Sequence, residues 1–406
     1  MDSGDTAWIL ISAALVMLMT PALALFYGGM VQGRNVLSTF MHSFFALGLV
    51  TVQFTLVGYS LCFGTSWHGL IGGFDYLGLD GLSDTLAAGT KVPHLAFFAY
   101  QCMFAVIAPA LISGAYAERF KFSAYVLFTL GWTTLIYDPI AHWSWATGGW
   151  LKSLGAIDYA GGTVVHLSSG ISALVCAIVL GKRRGYPSVR HPPHDLTMTV
   201  IGAGLLWFGW FGFNAGGAGA SQLGATALVN THVAAAAGAL AWGLVDGFRI
   251  KKVSLLGIAS GLVAGLVAVT PASGFVSPLA ALGIGALAGV VCYGGVLVKS
   301  RLGYDDALDA FGVHGIGGAT GAILTGVFAR AALNEGHGGS LSLVGKQAIG
   351  ILAAGAWAAV VTFVLLKIID RLVGLRVDEE TEHEGLDGAL HGESAYSSAG
   401  ATLHGE

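Results

Sequence analysis

Two histidines lie inside otherwise apolar stretches of this chain, and they are the side chains best placed to do chemistry. His166 ends the run AGGTVVH at residues 160–166, and His314 lies within FGVHG at residues 311–315. An ionisable group at bilayer depth is costly, so it normally faces a packed interior or a pathway and has a function there. Because one histidine lies in each half of the chain, we expect the two to share a site between the halves.

The surroundings of these histidines favour hydrogen bonding or proton relay over metal binding. Asp158 lies eight residues before His166, and Asp309 lies five residues before His314. At about 1.5 Å of rise per residue, the histidines lie ~12 Å and ~8 Å into their helices. A single histidine on an apolar face is more often structural, but two in mirrored contexts argue against that. Two imidazoles among small residues make a poor zinc site, so we predict no metal and no cofactor.

The composition shows what kind of scaffold carries these histidines. Of the 406 residues, 55% are hydrophobic and 10% are charged, and the mean hydropathy is +0.73. Soluble domains carry about 25% charged residues, so this is a polytopic membrane protein. The 62 glycines recur four residues apart in apolar runs, as at Gly261 and Gly265, which favours close helix packing. The four cysteines form no CxxC pair, so neither disulfides nor a metal cluster is expected.

Eleven apolar runs are each close to the ~20 residues that a bilayer-spanning helix requires. They cover residues 7–30, 38–63, 95–117, 122–142, 161–181, 196–216, 223–247, 254–272, 279–298, 311–330 and 346–370. Fifteen of the 19 lysines and arginines fall in alternate loops and the C-terminal tail, and four fall on the opposite side. Since positive charge marks the cytoplasmic side, we predict a multi-pass protein of the plasma (inner) membrane with its N-terminus outside and its C-terminus cytoplasmic.

Ten of these spans divide into two sets of five, and an odd number per set inverts the second set relative to the first. This predicts an all-α integral membrane protein with two inverted five-helix repeats and a peripheral eleventh helix, with a site between the repeats. The predicted boundaries are an extracellular N-terminus at 1–6, the repeats at 7–181 and 196–330, a cytoplasmic linker at 182–195, the eleventh helix at 346–370 and a cytoplasmic tail at 371–406.

Aromatic residues cluster near the predicted outer mouth, at Phe104, Trp145 and Phe213. Taken singly, each fits the interfacial aromatic belt of a membrane protein. Taken together, they fit a cage that attracts a small cation through ring faces within ~6 Å. The segments around them contain no lysine or arginine, so an anion site is not expected.

Longer motifs contain or flank these residues. They are ALFYGGM at 24–30, AER at 117–119, DYAGGTVVH at 158–166, WFGFNAG at 210–216, FGVHG at 311–315 and GLRV at 374–377. In these motifs the chain resembles the Amt/Mep/Rh superfamily of ammonium transporters, and the bacterial Amt branch in particular, from Ala7 to Tyr396. The resemblance implies a homotrimer of eleven-helix subunits with one pore per subunit.

The resemblance also implies roles for individual residues. Phe104 and Trp145 match an outer site that recruits ammonium. Phe104 and Phe213 match a stacked phenyl gate below that site. His166 and His314 match the twin histidines of the pore.

Two further positions concern the outer site. Asp158 matches an acid beneath it that supports the helix and favours the cation. The family usually places a serine hydroxyl directly after the Phe-Asn-Ala-Gly run, where this chain has Gly217. The hydroxyl hydrogen bond is therefore missing, and water, a backbone carbonyl or another side chain must supply it. Trp145 favours the Amt branch over neutral-gas channels of the Rh type, which generally lack this tryptophan.

The tail after Val377 is acidic in DEETEHE at 378–384 and too polar to form a core of its own. Its composition leaves open a disordered solubilising tail or a cytosolic docking segment. Residues 384–387 and 391–396 resemble the family tail that packs under the trimer and helps dock PII-type signal proteins, whereas 397–406 have no counterpart. We expect the tail to follow the cytoplasmic face, bridge neighbouring subunits and pair with the positive loops.

The resemblance implies an ammonium transporter that recruits NH4+, deprotonates it and conducts NH3 into the cytoplasm, with or without a separately carried proton. An ammonium sensor of the same fold that signals through the tail is the alternative. The spans show no nucleophile–base set, so an enzyme is not expected. The expected partners are ammonium or ammonia, further copies of the chain, a PII-type protein and the lipid bilayer, with no nucleic acid.

Overall fold

The computed structural model describes residues 1–189, 191–334 and 336–396. Within these ranges, nine helices are long and apolar enough to cross a membrane, and two less regular ones complete an eleven-helix bundle. The eleven are α1 (Ser3–Met30), α2 (Gly33–Phe63), α3 (His94–Tyr116), α4 (Phe122–Trp145), α5 (Gly162–Leu180), α6 (Leu196–Ala218), α7 (Gln222–Arg249), α8 (Leu255–Val269), α9 (Pro278–Leu302), α10 (Phe311–Phe328) and α11 (Leu341–Val373). The predicted all-helical membrane fold is confirmed.

Smaller elements lie between and after these helices. A two-stranded antiparallel ribbon pairs Ser66 with Gly72 and Trp67 with Ile71. The short helical pieces are Leu77–Leu79, Trp150–Leu154, Ala331–Leu333, Glu379–Glu384 and Asp387–His391. The last two belong to the tail, which the structure describes up to Tyr396. The predicted segment 397–406 lies outside the described residues.

Serine side chains fix the starts of several spans. Ser221, Ser254, Ser277 and Ser340 each accept a hydrogen bond from the backbone N–H three residues on. Such N-caps satisfy donors that a helix start otherwise leaves without partners. The cap at Ser340 explains why α11 begins five residues earlier than the apolar pattern predicts.

Small residues let the helices approach closely, as the glycine spacing predicts. A side chain at Gly265 of α8 or at Gly285 of α9 would meet the carbonyl oxygen of Ala234 in α7. A side chain at Gly202 of α6 would meet the backbone of Phe26 in α1. In lipid, where helices gain little from apolar burial against each other, such close packing stabilises the bundle.

The bundle has two ends, an N-terminal face and a tail face, which carry different segments of the chain. The N-terminal face is where α1 begins and Asp5 accepts a hydrogen bond from the backbone of Ala220. The tail face is where α1 ends and where Gly385 packs on the side chain of Arg34. Gly385 has a φ of 107°, a backbone conformation that side chains rarely adopt, and a Cβ there would collide with Arg34.

Candidate conduction site

The two histidine-bearing helices begin with unusual turns. α5 opens with a π turn at Gly162–Leu167 that contains His166, and α10 opens with one at Phe311–Gly315 that contains His314. A π turn widens the helix locally and re-aims its side chains, and such turns are frequent at functional sites. The sequence pattern predicts the helices but not these turns.

Asp158 holds the start of α5. Its Oδ1 accepts hydrogen bonds from the backbone N–H groups of Gly161 and Gly162 at 2.9 and 2.7 Å. Its Oδ2 accepts from Thr163 and Val164 at 2.8 and 3.0 Å. Four donors of one helix terminus therefore converge on one carboxylate, which also complements the positive end of the helix dipole. This arrangement fixes the turn that carries the histidine.

Asp306 does the same for α10. Its Oδ1 and Oδ2 accept from the backbone N–H groups of Ala310 and Phe311 at 3.1 and 2.8 Å. Asp306 precedes His314 by eight residues, the same spacing that separates Asp158 from His166 in the sequence. The sequence motif sets Asp309, five residues before His314, in the place of Asp158, but the carboxylate that caps α10 is that of Asp306, as the shared eight-residue spacing indicates.

Asp309 has a different environment. Its φ is 62°, which is uncommon for a residue with a side chain. Its carboxylate pairs with Lys299 at 2.5 Å, and Lys299 also donates to the backbone oxygen of Asp306. The pair lies at the tail-face mouth of the path described below.

Four stacked rings form a column through the bundle. The centroids of Phe104 and Phe213 are 4.2 Å apart with an interplanar angle of 27°. Phe213 and His166 follow at 5.8 Å and 27°, and His166 and His314 at 5.3 Å and 22°. The four side chains come from α3, α6, α5 and α10, so the column exists only in the folded bundle.

The two phenyl rings close the column at its upper end. Phe104 is 2% exposed and Phe213 is 0% exposed. At 4.2 Å between centroids, no molecule fits between the rings. A solute that passes from the N-terminal face to His166 therefore requires these rings to move.

A small central cavity surrounds the two histidines. Its volume is about 10 Å³ and its remaining lining is almost wholly apolar, with Leu206, Trp210 and Val263 among the lining residues. Both ring nitrogens of His166 and Nδ1 of His314 are buried and have no hydrogen-bond partner within the described parts of the chain. Buried polar groups in proteins normally have partners, so these nitrogens indicate a small polar guest.

Trp210 also belongs to this site, although its sequence motif assigns it no role there. Its ring stacks on that of His166, with centroids 5.3 Å apart at 25°. Its Nε1 donates to Oγ1 of Thr270 at 2.9 Å, which holds the indole in place. Trp210 lies in the WFGFNAG motif, three residues before Phe213, and so shares a helix face with it.

Above the phenyl pair, a pocket of about 200 Å³ opens at the N-terminal face; we call it the N-face pocket. Phe104 and Trp145 line it with centroids 5.9 Å apart and planes at 90°. Gly217 also lines it, and a Cβ there would meet only Cε1 of Tyr100, at 3.7 Å. The structure thus brings Phe104, Trp145 and Gly217 together at one site.

Asp158 is not among the residues that line the N-face pocket. Its carboxylate is occupied by the start of α5, and its backbone oxygen accepts from Nε1 of Trp145 at 2.9 Å. Asp158 therefore orients the tryptophan ring and the histidine-bearing helix from outside the pocket.

Three buried oxygens of the N-face pocket's lining residues have no hydrogen-bond partner among the described residues. They belong to the side chains of Gln101, Tyr159 and Asn214. No role for these three side chains follows from the sequence motifs, because an uncharged polar residue gives no recognisable signal until the fold shows what it faces.

Below the histidines, a cavity of about 50 Å³ continues toward the tail face. His314 and Phe26 line both this cavity and the central cavity, so the two adjoin. Ser260 and Asp309 contribute polar groups to it. The N-face pocket, the phenyl pair, the central cavity and this tail-side cavity form one path through the bundle.

The tail closes over its own subunit at the tail face. Asp387 accepts hydrogen bonds from the backbone N–H groups of Leu37 and Ser38 at 3.0 and 2.8 Å, and so caps the start of α2. Glu382 pairs with Arg376 at 2.7 Å and accepts from the backbone N–H of Arg184 at 2.8 Å. The acidic run thus contacts the loop after α5 through a backbone donor, whereas its ion pair among the described residues is with Arg376 of the tail itself rather than with the predicted positive loops. A bridge between subunits stays a prediction.

A buried ion network lies beneath the tail. Arg183 pairs with Glu118 at 2.7 Å and with Asp305 at 2.9 Å. Burial alone would raise the pKa of Glu118, but Arg183 and donors from Gln32 and Asn35 hold that pKa below its usual value. The network therefore stays ionised and ties four connections between helices to one another.

These features together define a polytopic α-helical membrane protein with a narrow, ring-lined path for a small solute. The chain belongs to the Ammonium Transporter Family, whose model matches residues 7–396. It is 48% identical to the ammonium transporter of Bacillus subtilis (strain 168) over 404 residues, which cover 98% of this chain and 99% of that protein. It is 46% identical to the ammonium transporter of Aquifex aeolicus (strain VF5), over 98% of this chain and 94% of that one.

Solved structures show the same fold. The crystal structure of Saccharomyces cerevisiae Mep2 matches with a TM-score of 0.87 and 37% identity, covering 93% of this chain and 91% of that one. A structure described as a Sensor Amt Protein matches with a TM-score of 0.90 and 30% identity, covering 96% and 98%. The family, the fold and ammonium transport are thus confirmed, and the sensor alternative is not favoured.

Proposed function

We propose that this transporter recruits NH4+ at the N-face pocket, deprotonates it and passes NH3 along the ring column to the tail face. The observation that carries the proposal is the central cavity, where buried histidine nitrogens without partners line an otherwise apolar path. A neutral molecule that both donates and accepts hydrogen bonds satisfies such nitrogens. NH3 has both properties.

The N-face pocket supplies attraction for the cation. The ring faces of Phe104 and Trp145 attract a partly dehydrated cation with up to ~2 kcal/mol. We assign the hydroxyl that Gly217 lacks to the oxygens of Gln101, Tyr159 and Asn214, which have no other partner within the described residues. Oxygen acceptors suit the N–H donors of ammonium, and no lysine or arginine lines the pocket.

Deprotonation of ammonium follows from the difference in size and polarity between the N-face pocket and the central cavity. The central cavity, at about 10 Å³, is close to the smallest space that holds one water-sized molecule. Burying an intact ammonium there costs several kcal/mol, whereas the neutral form avoids that cost, so desolvation lowers the pKa of the substrate. Phe104 and Phe213 act as the gate that separates the wet pocket from the dry cavity.

His166 and His314 then either hold NH3 through hydrogen bonds, while the proton released by ammonium returns to the N-terminal face, or relay that released proton along the column. The first role moves NH3 alone and is electrically neutral, whereas the second carries a proton separately and generates a current. An ammonium pulse on proteoliposomes, read as a capacitive current, distinguishes the two forms.

The proposal also covers the orientation of the protein in the membrane, its assembly and its cytoplasmic partner. The excess of lysine and arginine at the tail face supports a plasma-membrane protein whose tail face is cytoplasmic and whose N-terminus is outside. We infer that three chains assemble, each with its own pore, and that a PII-type protein docks on the tail face. The tail, ordered on its own subunit through Asp387, presents a defined surface for such docking. The proposal assigns the chain no enzymatic reaction.

The test replaces each histidine of the column in turn. His166→Ala and His314→Ala should each abolish or alter ammonium flux in proteoliposomes while the purified protein keeps its assembly state and thermal stability. His232→Ala is the matched control, because His232 is an exposed histidine of α7 that does not line the path. Flux at the wild-type level in well-folded His166→Ala would show that the column is not the route.

A further inference from the structure

A large pocket at the tail face lies apart from the conduction path. Its volume is about 600 Å³, and it shares no lining residue with the N-face pocket, the central cavity or the tail-side cavity. The connection before α2, the loop after α5 and the tail all contribute walls, for example through Arg34, Arg184 and His383. We call this space the arginine pocket. Pockets of about 300–1,000 Å³ are the size at which proteins bind small molecules.

The charges around the arginine pocket do not cancel. Of the lining residues, Glu118 pairs with Arg183 at 2.7 Å, and Glu382 pairs with Arg376 at 2.7 Å. Both carboxylates accept further hydrogen bonds from backbone N–H groups and so have few free lone pairs. Arg183 also pairs with Asp305, beside which the buried Arg119 supplies a second positive charge and donates to the backbone oxygen of Asp305 at 2.7 Å.

Two guanidinium groups remain without a countercharge. Arg34 and Arg184 line the pocket, are exposed, and form no ion pair within the described residues. The three other acidic residues of the tail helix, Glu379, Glu380 and Glu384, do not line the pocket. The arginine pocket therefore carries a surplus of positive charge beside a partly apolar wall.

That wall is held in place by the fold. His194 donates through Nδ1 to the backbone oxygen of Val31 at 2.9 Å, which leaves Nε2 to accept from the hydroxyl of Tyr396 at 2.8 Å. Pro192 and Pro193, beside it, add rigid apolar surface. A rigid wall loses little conformational entropy when a ligand binds, which favours affinity.

We propose that the arginine pocket binds a small phosphate-bearing anion of about the size of a nucleoside phosphate. Arg34 and Arg184 contact the phosphate oxygens, since a guanidinium matches phosphate geometry with paired N–H donors. The ring of His194 and the prolines pack against the uncharged part of the ligand. Inorganic phosphate alone fills only a fraction of the 600 Å³ pocket, so the ligand carries an uncharged part as well. The phosphate group of a lipid could bind the two arginines through the same contacts.

Ligand in this pocket stabilises the docked tail. Glu382 and His383 of the tail form one wall, and Arg184 of the opposite wall already donates its backbone N–H to Glu382 at 2.8 Å. Arg34 packs against Gly385 of the tail. A ligand that bridges Arg34 and Arg184 therefore fixes the side chain on which the tail rests and ties it to the opposite wall. Binding and tail docking are then coupled, and each favours the other.

Calorimetric titration of the purified full-length protein in detergent tests the proposal, with AMP, ADP, ATP and inorganic phosphate as probes. We expect saturable binding of at least one nucleoside phosphate, weakened about tenfold or more by Arg34→Gln and by Arg184→Gln. Arg371→Gln is the matched control, because Arg371 is an exposed arginine near the end of α11 that does not line the pocket. The titration contains no ammonium, so its outcome is independent of the conduction mechanism.

A second arm separates the two sources of phosphate. Native mass spectrometry of the same variants from nanodiscs compares retention of phosphatidylglycerol with that of phosphatidylcholine. One outcome is that the protein retains phosphatidylglycerol selectively, that both pocket variants retain less of it, and that no nucleoside phosphate binds. This outcome would assign the site to a lipid headgroup. Two results would overturn the proposal. In the first, no probe binds in either arm; in the second, Arg34→Gln and Arg184→Gln bind the probe as tightly as wild type and the Arg371→Gln control.

Discussion

Replacing Gly217 by serine tests how the N-face pocket holds ammonium. The added Cβ would meet only Cε1 of Tyr100, at 3.7 Å, which is an ordinary contact. Gly217 does not have a positive φ, so serine adopts its backbone conformation without strain. The substitution therefore adds one hydroxyl beside Phe104 and Trp145 and disturbs little else.

The expected gain follows from the hydrogen bond. A hydrogen bond to a charged group contributes ~1.5–3 kcal/mol net, and 1.4 kcal/mol corresponds to a factor of ten in affinity. Because the oxygens of Gln101, Tyr159 and Asn214 already offer partners, we expect the lower end of that range. Gly217→Ser should lower the half-saturating ammonium concentration about tenfold, with little change in maximal flux.

Ammonium flux into proteoliposomes, which is measurable for either transport form, gives half-saturation for wild type and variants side by side. Gly217→Ala is the matched control, because it adds the same Cβ against Tyr100 without a hydroxyl. If the serine and alanine variants had equal half-saturation, the hydroxyl would contribute nothing, and the reasoning that places the cation beside Gly217 would be wrong.

Three further substitutions test the phenyl gate, the start of α5 and the docking of the tail. Phe213→Ala removes the ring between the N-face pocket and the central cavity, so we expect a potassium leak without higher ammonium flux; a potassium-tight variant would contradict the gate. Asp158→Asn keeps one acceptor oxygen and leaves two backbone donors of α5 without partners, at about 1–3 kcal/mol each. Melting temperature and flux should both fall, and an unchanged melting temperature would refute the capping role. Asp387→Ala uncaps α2 and should release the tail to limited proteolysis; Asp378→Ala, which removes an exposed cap within the tail, is its control.

The sequence determines the membrane fold of this protein through composition and periodicity. Long apolar runs can satisfy their backbone polar groups in lipid only as helices, so the length and apolar content of the runs predict membrane-spanning helices. The two histidines can also be recognised from the sequence, because an ionisable side chain in a membrane-spanning run is costly and normally has a function there. Resemblance to a family then names the substrate.

Only the tertiary structure decides which side chains meet. The ring column takes its four members from α3, α6, α5 and α10, and no local pattern reports that Phe213 stacks on His166. Asp306 rather than Asp309 caps α10, because the carboxylate that caps depends on how the chain turns before the helix. The composition of the tail leaves open whether it is disordered or docked, and the structure shows it docked on its own subunit, since Asp387 accepts hydrogen bonds from backbone donors of α2 some 350 residues away in the chain. Contacts at such sequence separation depend on the packed bundle, and so the sequence alone does not reveal them.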